Sequence, residues 1–283
     1  TAKSSDILQL LLDNGADPTI TTPEGATALH YAKTEESAQI LINESDLLSV
    51  RDSRDETPLH WAVNQSRFTT LEHINLLISS GANINSKNIR GYTPLSKSLN
   101  TDNNSLEVFQ LLLNNGADVN VYYDHLGLYS GEVPIIHEVI TRGLLNPLNL
   151  LIQKGANIEI QSISKPHTGI LPVSSGLTPL HHAVYLSNFG DTPNIKYSLI
   201  IKVLIENGAN INAVAEDGRT PLDMVLQTQF STTVVDILTA NGAKSGILIE
   251  PNIKIVQEGW NRFNFRTSKG SSYTILESIN FDQ

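Results

Sequence analysis

The sequence predicts a mainly α-helical repeat solenoid, and three observations carry that expectation. A four-residue phrase recurs as Thr27-Ala28-Leu29-His30, Thr57-Pro58-Leu59-His60, Thr93-Pro94-Leu95-Ser96, Pro134-Ile135-Ile136-His137, Thr178-Pro179-Leu180-His181 and Thr220-Pro221-Leu222-Asp223. Alternating with it, apolar runs close on Gly-Ala at Gly15-Ala16, Gly81-Ala82, Gly116-Ala117, Gly155-Ala156, Gly208-Ala209 and Gly242-Ala243. Within such a run, Leu106 to Leu113, residues Val108, Leu111 and Leu112 fall on one face at helical spacing.

Each phrase has a physical reading. A threonine before proline starts a helix, because its hydroxyl accepts from an orphan amide and proline at the first helical position loses no hydrogen bond. The apolar run is a second helix, and the glycine after it supplies the left-handed residue that ends it. One unit is therefore helix, turn, helix and an extended return.

These residues resemble the ankyrin repeat, which opens on Thr-Pro-Leu-His and has a period of about 33 residues. The resemblance covers roughly residues 5 to 245 and begins with a lone second helix, giving about six repeats plus a leading half repeat. It implies a stack of antiparallel helix pairs with projecting β-hairpins, whose concave side is made of hairpin tips and first helices. It also implies that the histidine in the fourth position of the phrase, at His30, His60, His137 and His181, hydrogen-bonds backbone. Residues 1–246 are assigned to the solenoid and 247–283 to a β-prone tail.

Departures from the repeat make the chain particular. The intervals between successive phrases differ throughout. In the short first unit, Ser45-Asp46 stands where Gly-Ala is expected, so that helix end is expected to be strained or reshaped. Extra residues form two extended hairpin fingers, Val121 to Val133 and Gln161 to Gly176, expected side by side on consecutive units. A third insertion, Leu186 to Tyr197, separates the two helices of one unit. Beyond Gly246, three short β-prone runs at Ile253 to Val256, Phe263 to Arg266 and Tyr273 to Leu276 read as a cap on the last repeat or the start of a further domain.

Composition narrows the chemistry. The formal charge of −10 argues against nucleic acid as partner, since phosphate binding needs clustered cations, and favours a basic or neutral protein. No run approaches the roughly 20 apolar residues of a membrane span, and the first residues show no signal-peptide pattern. Zero cysteines exclude disulfides, thiolate metal sites and a cysteine nucleophile within these residues. Phosphate loops, zinc-protease helices, nucleophile elbows and calcium loops are also missing. The reading is therefore a binding protein and a monomer, with no catalytic residue, no metal and no cofactor.

Carboxylates at Asp52, Asp55, Glu56, Glu216 and Asp217 are expected as solvated charges at hairpin tips. His181-His182 is a poor metal pair, because adjacent helical residues point apart. His125 and His167, one in each finger, are expected as solvated loop histidines. Partner contacts are expected at Tyr122, Tyr123, His125 and Tyr129 of the first finger and at Lys165 and His167 of the second. Tyrosine gives large contact area at low entropic cost. Further contacts are expected at Arg51, Arg54, Asn64, Arg90, Tyr92 and Arg219 on tips and concave face.

The lack of cysteine and richness in asparagine and isoleucine resemble ankyrin proteins of bacteria with AT-rich genomes, some of which export such proteins into host cells. The resemblance implies a cytoplasmic protein or a secreted effector in a host cytosol. The alternative is a targeting arm of a larger enzyme or toxin whose catalytic domain lies outside this chain.

Overall fold

The computed structural model describes residues 4–64, 69–99, 105–124, 132–162, 176–187, 195–226, 232–246, 254–257, 262–266 and 272–276. The chain divides into two compact units, Thr1–Val139 with Asn146–Asn157, and Ile140–Leu145 with Ile158–Gln283.

The first unit opens with α1 (Ser4–Asp13), followed by the pairs α2 (Ala28–Tyr31) with α3 (Glu35–Glu44), α4 (Pro58–Asn64) with α5 (Leu71–Ser79), and α6 (Pro94–Ser98) with α7 (Ser105–Asn114). First helices pack in the order α2, α4, α6, and second helices in the order α1, α3, α5, α7, so two helical layers run through the unit. Between them lie the buried side chains of Leu29, Leu41, Leu59, Ile74, Leu95 and Phe109. Each contributes about 1.5–3 kcal/mol by leaving water.

The repeated phrases produce the expected ends. At α6, the Thr93 hydroxyl accepts the Ser96 N–H and the Ser96 hydroxyl accepts the Thr93 N–H, so two orphan donors are satisfied at once. At the end of α5, Gly81 has φ +101°, its N–H donates to Ile78, and Ala82 N–H reaches back to Leu77. That is the two-bond left-handed stop, and Gly-Ala is its sequence mark.

Two details correct the sequence reading, at α7 and Pro134, and one expectation, at the end of α3, is resolved. In α7, Phe109 and Leu113 join Val108 and Leu112 in the core, while Leu111 is half-exposed. At the end of α3, Ser45 is extended, with φ −165° and ψ 157°. The end is thus reshaped, with the Ser45 hydroxyl oxygen buried without a partner among the described residues, and Leu47 is buried beyond it. Pro134 does not begin a helix. It ends β2 (Glu132–Pro134), which pairs antiparallel with β1 (Tyr122–Asp124), and α8 (Ile135–Arg142) follows.

After α8 the chain forms α9 (Leu145–Gln153). In the second unit, α10 (Pro179–Ser187) packs on α11 (Ile195–Glu206) and on α12 (Pro221–Leu226), and α13 (Thr232–Ala240) packs on α11 and α12. Buried Leu180, Val184, Ile200, Leu204, Val234 and Leu238 form its helical core. The insertion between α10 and α11 is partly helical: Leu186 and Ser187 extend α10, and Ile195 begins α11. The tail forms β3 (Lys254–Gln257), β4 (Arg262–Arg266) and β5 (Ser272–Leu276), an antiparallel sheet in that order. The three runs match the expected β-prone segments closely.

Candidate functional site

The tip loops at Asp52, Asn88 and Ala215 are built from one repeated turn. Asp52 N–H donates to Glu56 O and Asp55 N–H to Asp52 O; Asn88 repeats the pattern with Tyr92 and Gly91, and Ala215 with Arg219 and Gly218. Two side chains brace the turns. The Asp52 Oδ1 accepts from Arg54 N–H at 2.9 Å and Glu56 N–H at 2.8 Å, and Asn88 Oδ1 does the same for Arg90 and Tyr92. Consecutive tips are tied by Ser53 N–H to Glu24 O at 2.7 Å and Ile89 N–H to Arg54 O at 3.0 Å. The tips form a ladder of backbone bonds, which holds their exposed side chains at fixed spacing.

Histidines fix the turns to the helices. Thr27 N–H donates to His30 Nδ1 at 3.0 Å, and His30 Nε2 lies 3.2 Å from Glu56 O. A carbonyl can only accept, so Nε2 carries the proton and Nδ1 is the acceptor. His60 bridges in the same way from Thr57 to Tyr92 O, and His181 from Thr178 to Arg219 O. Burial pushes all three imidazoles below their ordinary value of 6.5, against the opposing pull of those carbonyls. Ser96 lacks this reach, and among the described residues its side chain bonds only within its own turn, to Thr93. Asp223 reaches across differently, accepting from Thr220 N–H, the Ser245 hydroxyl and Gly246 N–H.

Two of the five expected tip carboxylates are not solvated. Asp52 and Glu56 are buried. Burial pushes the Asp52 carboxyl up, but donors from Glu56, Trp61 and Arg54 outweigh it and hold it below the usual carboxylate range. Glu56 accepts from Asn88 Nδ2 at 2.9 Å and pairs with Lys97 Nζ at 2.6 Å. Asp55, Glu216 and Asp217 are exposed as expected.

A cleft of about 260 Å3 opens in the first unit between the first two tips and the helices behind them. Tyr31 and Trp61 form one side, with ring centroids 5.0 Å apart and planes at 71°. Trp61 Nε1–H donates to Asp52 Oδ2 at 2.9 Å, which locks the indole to the turn. Glu24, Arg54 and Asn64 are exposed where they line the cleft. The sequence reading marked Arg54 and Asn64 here and missed Tyr31, Trp61 and Glu24. The available signal was an aromatic directly after the phrase histidine in two consecutive units, Tyr31 after His30 and Trp61 after His60.

The other expected residues divide. Arg51 is exposed, yet its guanidinium donates to Asp55 O at 3.0 Å and Lys87 O at 2.9 Å, so it also braces two tips. Arg90 is exposed beside Ile89, which is 71% exposed, and Tyr92 is half-buried. Arg219 belongs to the second unit, where Nε pairs with Asp217 at 2.8 Å. In the first finger, Tyr122 is half-buried in β1 and Tyr123 pairs with Val133. His125 and Tyr129 lie outside the described residues. The base of the second finger is closed by Ser162 N–H to Leu177 O and Gly176 N–H to Ser162 O. Lys165 and His167 lie outside the described residues. His182 Nε2 sits 3.2 Å from the Thr141 hydroxyl.

Comparison with known proteins follows the same pattern. The family described as Ankyrin repeats (3 copies) matches residues 1–88, and Ankyrin repeat matches residues 90–123 and 175–216. The stretch between these last two holds most of both fingers, where the sequence departs most from the repeat. The B-cell lymphoma 3 protein homolog of Mus musculus is 34% identical over 160 residues, which are 54% of this chain and 33% of that protein. An ankyrin repeat protein of Fowlpox virus (strain NVSL), FPV222, is 33% identical over 122 residues, 42% of this chain and 16% of that one. The chain thus spans about a third or less of the length of these curated relatives. The solved ankyrin repeat domain of Bcl-3 matches with a TM-score of 0.60 and 23% identity, covering 83% of this chain and 91% of that one, a likeness of fold. With repeat matches over more than half of its length, the chain belongs to the ankyrin-repeat family.

Proposed function

We propose that the chain acts by binding a protein partner through its hairpin tips, its fingers and the concave-face residues beside them. Ankyrin repeats are protein–protein interaction modules, and this chain is built from them. The observation that supports the specific surface is the first unit's row of tips. Backbone bonds hold Arg54, Ile89 and Arg90 on a rigid ladder, exposed, with no side-chain ion pair or hydrogen bond among the described residues. Recognition commonly sits on loops held by a rigid scaffold. Tyr122, Tyr123, His125 and Tyr129 of the first finger, and Lys165 and His167 of the second, are proposed as further contacts on the strength of their sequence position and residue type.

Affinity capture with the intact chain, beside one lacking residues 125–131 and 163–175, tests the reading. A partner retained by the first and lost by the second supports the fingers. No saturable partner for either ends the proposal.

A second reading, the targeting arm of a larger enzyme or toxin, draws support from the tail sheet β3–β4–β5 and from relatives several times longer than the matched segment. The cysteine-free, asparagine-rich composition supports a secreted bacterial effector acting in a host cytosol. Retention inside the bacterium in a secretion assay removes that part. No helix among the described residues is long and apolar enough to cross a membrane.

A further inference from the structure

We infer that the cleft at Trp61 receives a single basic side chain, arginine or lysine, from an extended segment of a protein partner; this rests on the binding-module reading and specifies one of its contacts.

Size comes first. Sites for whole small molecules run from about 300 to 1,000 Å3. At about 260 Å3 this cleft is better matched to one side chain. Its chemistry then selects the charge. Three carboxylates line it, Glu24, Asp52 and Glu56, against one cation, Arg54. Glu56 is neutralised by Lys97, and Asp52 is satisfied by three N–H donors without any neighbouring cation bonded to it. Among the described residues the exposed Glu24 carboxylate has no side-chain partner. An anionic occupant would meet this field with Arg54 alone to hold it. An apolar occupant would strip water from Glu24 without replacing it, which costs free energy.

A basic side chain meets both kinds of wall. The Tyr31 and Trp61 rings offer aromatic surface that attracts a cation. Asp52 fixes the indole before any ligand arrives, so little ordering remains to be done on binding. Arginine suits the site best, because its flat guanidinium stacks on a ring and forks onto a carboxylate together. The chain's overall charge of −10 favours the same class of partner.

The test uses the full chain, labelled with 15N, and follows the Trp61 indole N–H cross-peak, identified by its loss in Trp61→Phe. Four capped tripeptides, acetyl-Gly-X-Gly-amide with X as arginine, lysine, norleucine or glutamate, are titrated in low salt. Saturable shifts with arginine or lysine, and weaker or no shifts with norleucine and glutamate, are expected. Glu24→Gln, at an exposed position, should weaken the arginine peptide about two- to fivefold with an unchanged melting temperature, and Tyr31→Ala, which also removes the ring contact to Trp61, should weaken it by a similar factor. Equal shifts for norleucine, stronger shifts for glutamate, or no saturable shift at all overturns the inference. A chain that captures a protein partner yet shows no arginine-dependent shift overturns the cleft assignment alone, whereas a chain that captures nothing overturns the binding-module reading.

Discussion

The side-chain oxygen of Asn85 accepts the backbone N–H of Asp118 at 2.8 Å. It is one rung of a set. Asn120 accepts from Asn157 at 2.8 Å, Glu159 from Asn210 at 2.7 Å and Asn212 from Lys244 at 2.7 Å. In each case the residue lies four places after the glycine of a Gly-Ala stop and joins one loop to the next.

Because only the acceptor matters in the short bond, Asn85→Ala should lower stability by about 1 kcal/mol in urea denaturation. Asn85→Asp should cost less, since Glu159 already does this task with a carboxylate. Equal losses for both would place the effect in the Nδ2 contact to Gly116 O, which at 3.5 Å is long.

Asp55 has φ +60° at the tip position where neighbouring turns carry Gly25 and Gly91. Aspartate tolerates this region better than most residues but still pays for its Cβ there. Asp55→Gly should raise stability by about 0.5–1 kcal/mol, and Asp55→Val should lower it by more. The reverse test is Gly25→Ala. There φ is +81° and a Cβ would lie 3.3 Å from the Asp52 Cα, so the melting temperature should fall clearly. An unchanged melt for Gly25→Ala would show that the first tip adapts.

His73 on α5 is fully buried, and neither ring nitrogen has a hydrogen-bond partner among the described residues. The Thr34 backbone and the Glu35 charge favour its protonated form without forming a bond of good geometry, and burial dominates, pushing the imidazole below 6.5. His30, His60 and His181 are lowered for the same first reason. A histidine with a lowered folded pKa binds fewer protons folded than unfolded below the ordinary value. Its contribution is fully present above about pH 6.5 and is lost as pH falls toward the folded value. Stability should therefore decline from pH 7 to pH 5. His73→Leu should raise stability by about 1–2 kcal/mol at pH 7 and flatten part of that decline. A variant with the wild-type slope would exclude His73 from the acid response.

The fold was largely readable in the sequence because its stops and starts are local chemistry. Thr93 with Ser96, and Gly81 with Ala82, each close their bonds within six residues. The Ser45 end and the Pro134 start were the places where that local grammar was missing, and there the chain took extended structure instead. The site was legible only in part. Arg54 and Asn64 stood out as polar residues on tip and first helix, but the aromatic side of the cleft depends on Asp52 reaching Trp61 nine residues on. Burial of Glu56 likewise depends on Asn88 and Lys97 from the next repeat. Such pairings follow from how repeats stack and leave no local mark.

The tail carries Trp260, Phe263, Phe265 and Tyr273, which are costly to leave in water. If its three strands cover the apolar end of the last repeat, removing residues 250–283 should lower the melting temperature and promote self-association, read by calorimetry and light scattering. An unchanged melt with monomeric scattering would identify the sheet as part of a separate domain.

The three tyrosines of the first finger should not behave alike. Tyr122 is half-buried where β1 pairs with β2, opposite Pro134, so part of its surface already contributes to the fold. Tyr122→Ala should therefore lower stability by about 1 kcal/mol, in proportion to the area it exposes. Tyr123 pairs with Val133 one step further out, and Tyr129 lies outside the described residues. As aromatic anchors for a partner, each should cost about 2 kcal/mol of binding when truncated, roughly a thirtyfold loss, while a rim charge such as Arg51 costs much less. The double variant Tyr123→Ala with Tyr129→Ala should accordingly melt like the parent and lose capture. If it melts early, these rings pack the finger and its tyrosines resemble Tyr122. If it is stable and binds fully, the fingers are not the contact, and Arg54 and Asn64 at the Trp61 cleft, with Arg90 on the next tip, become the surface to mutate.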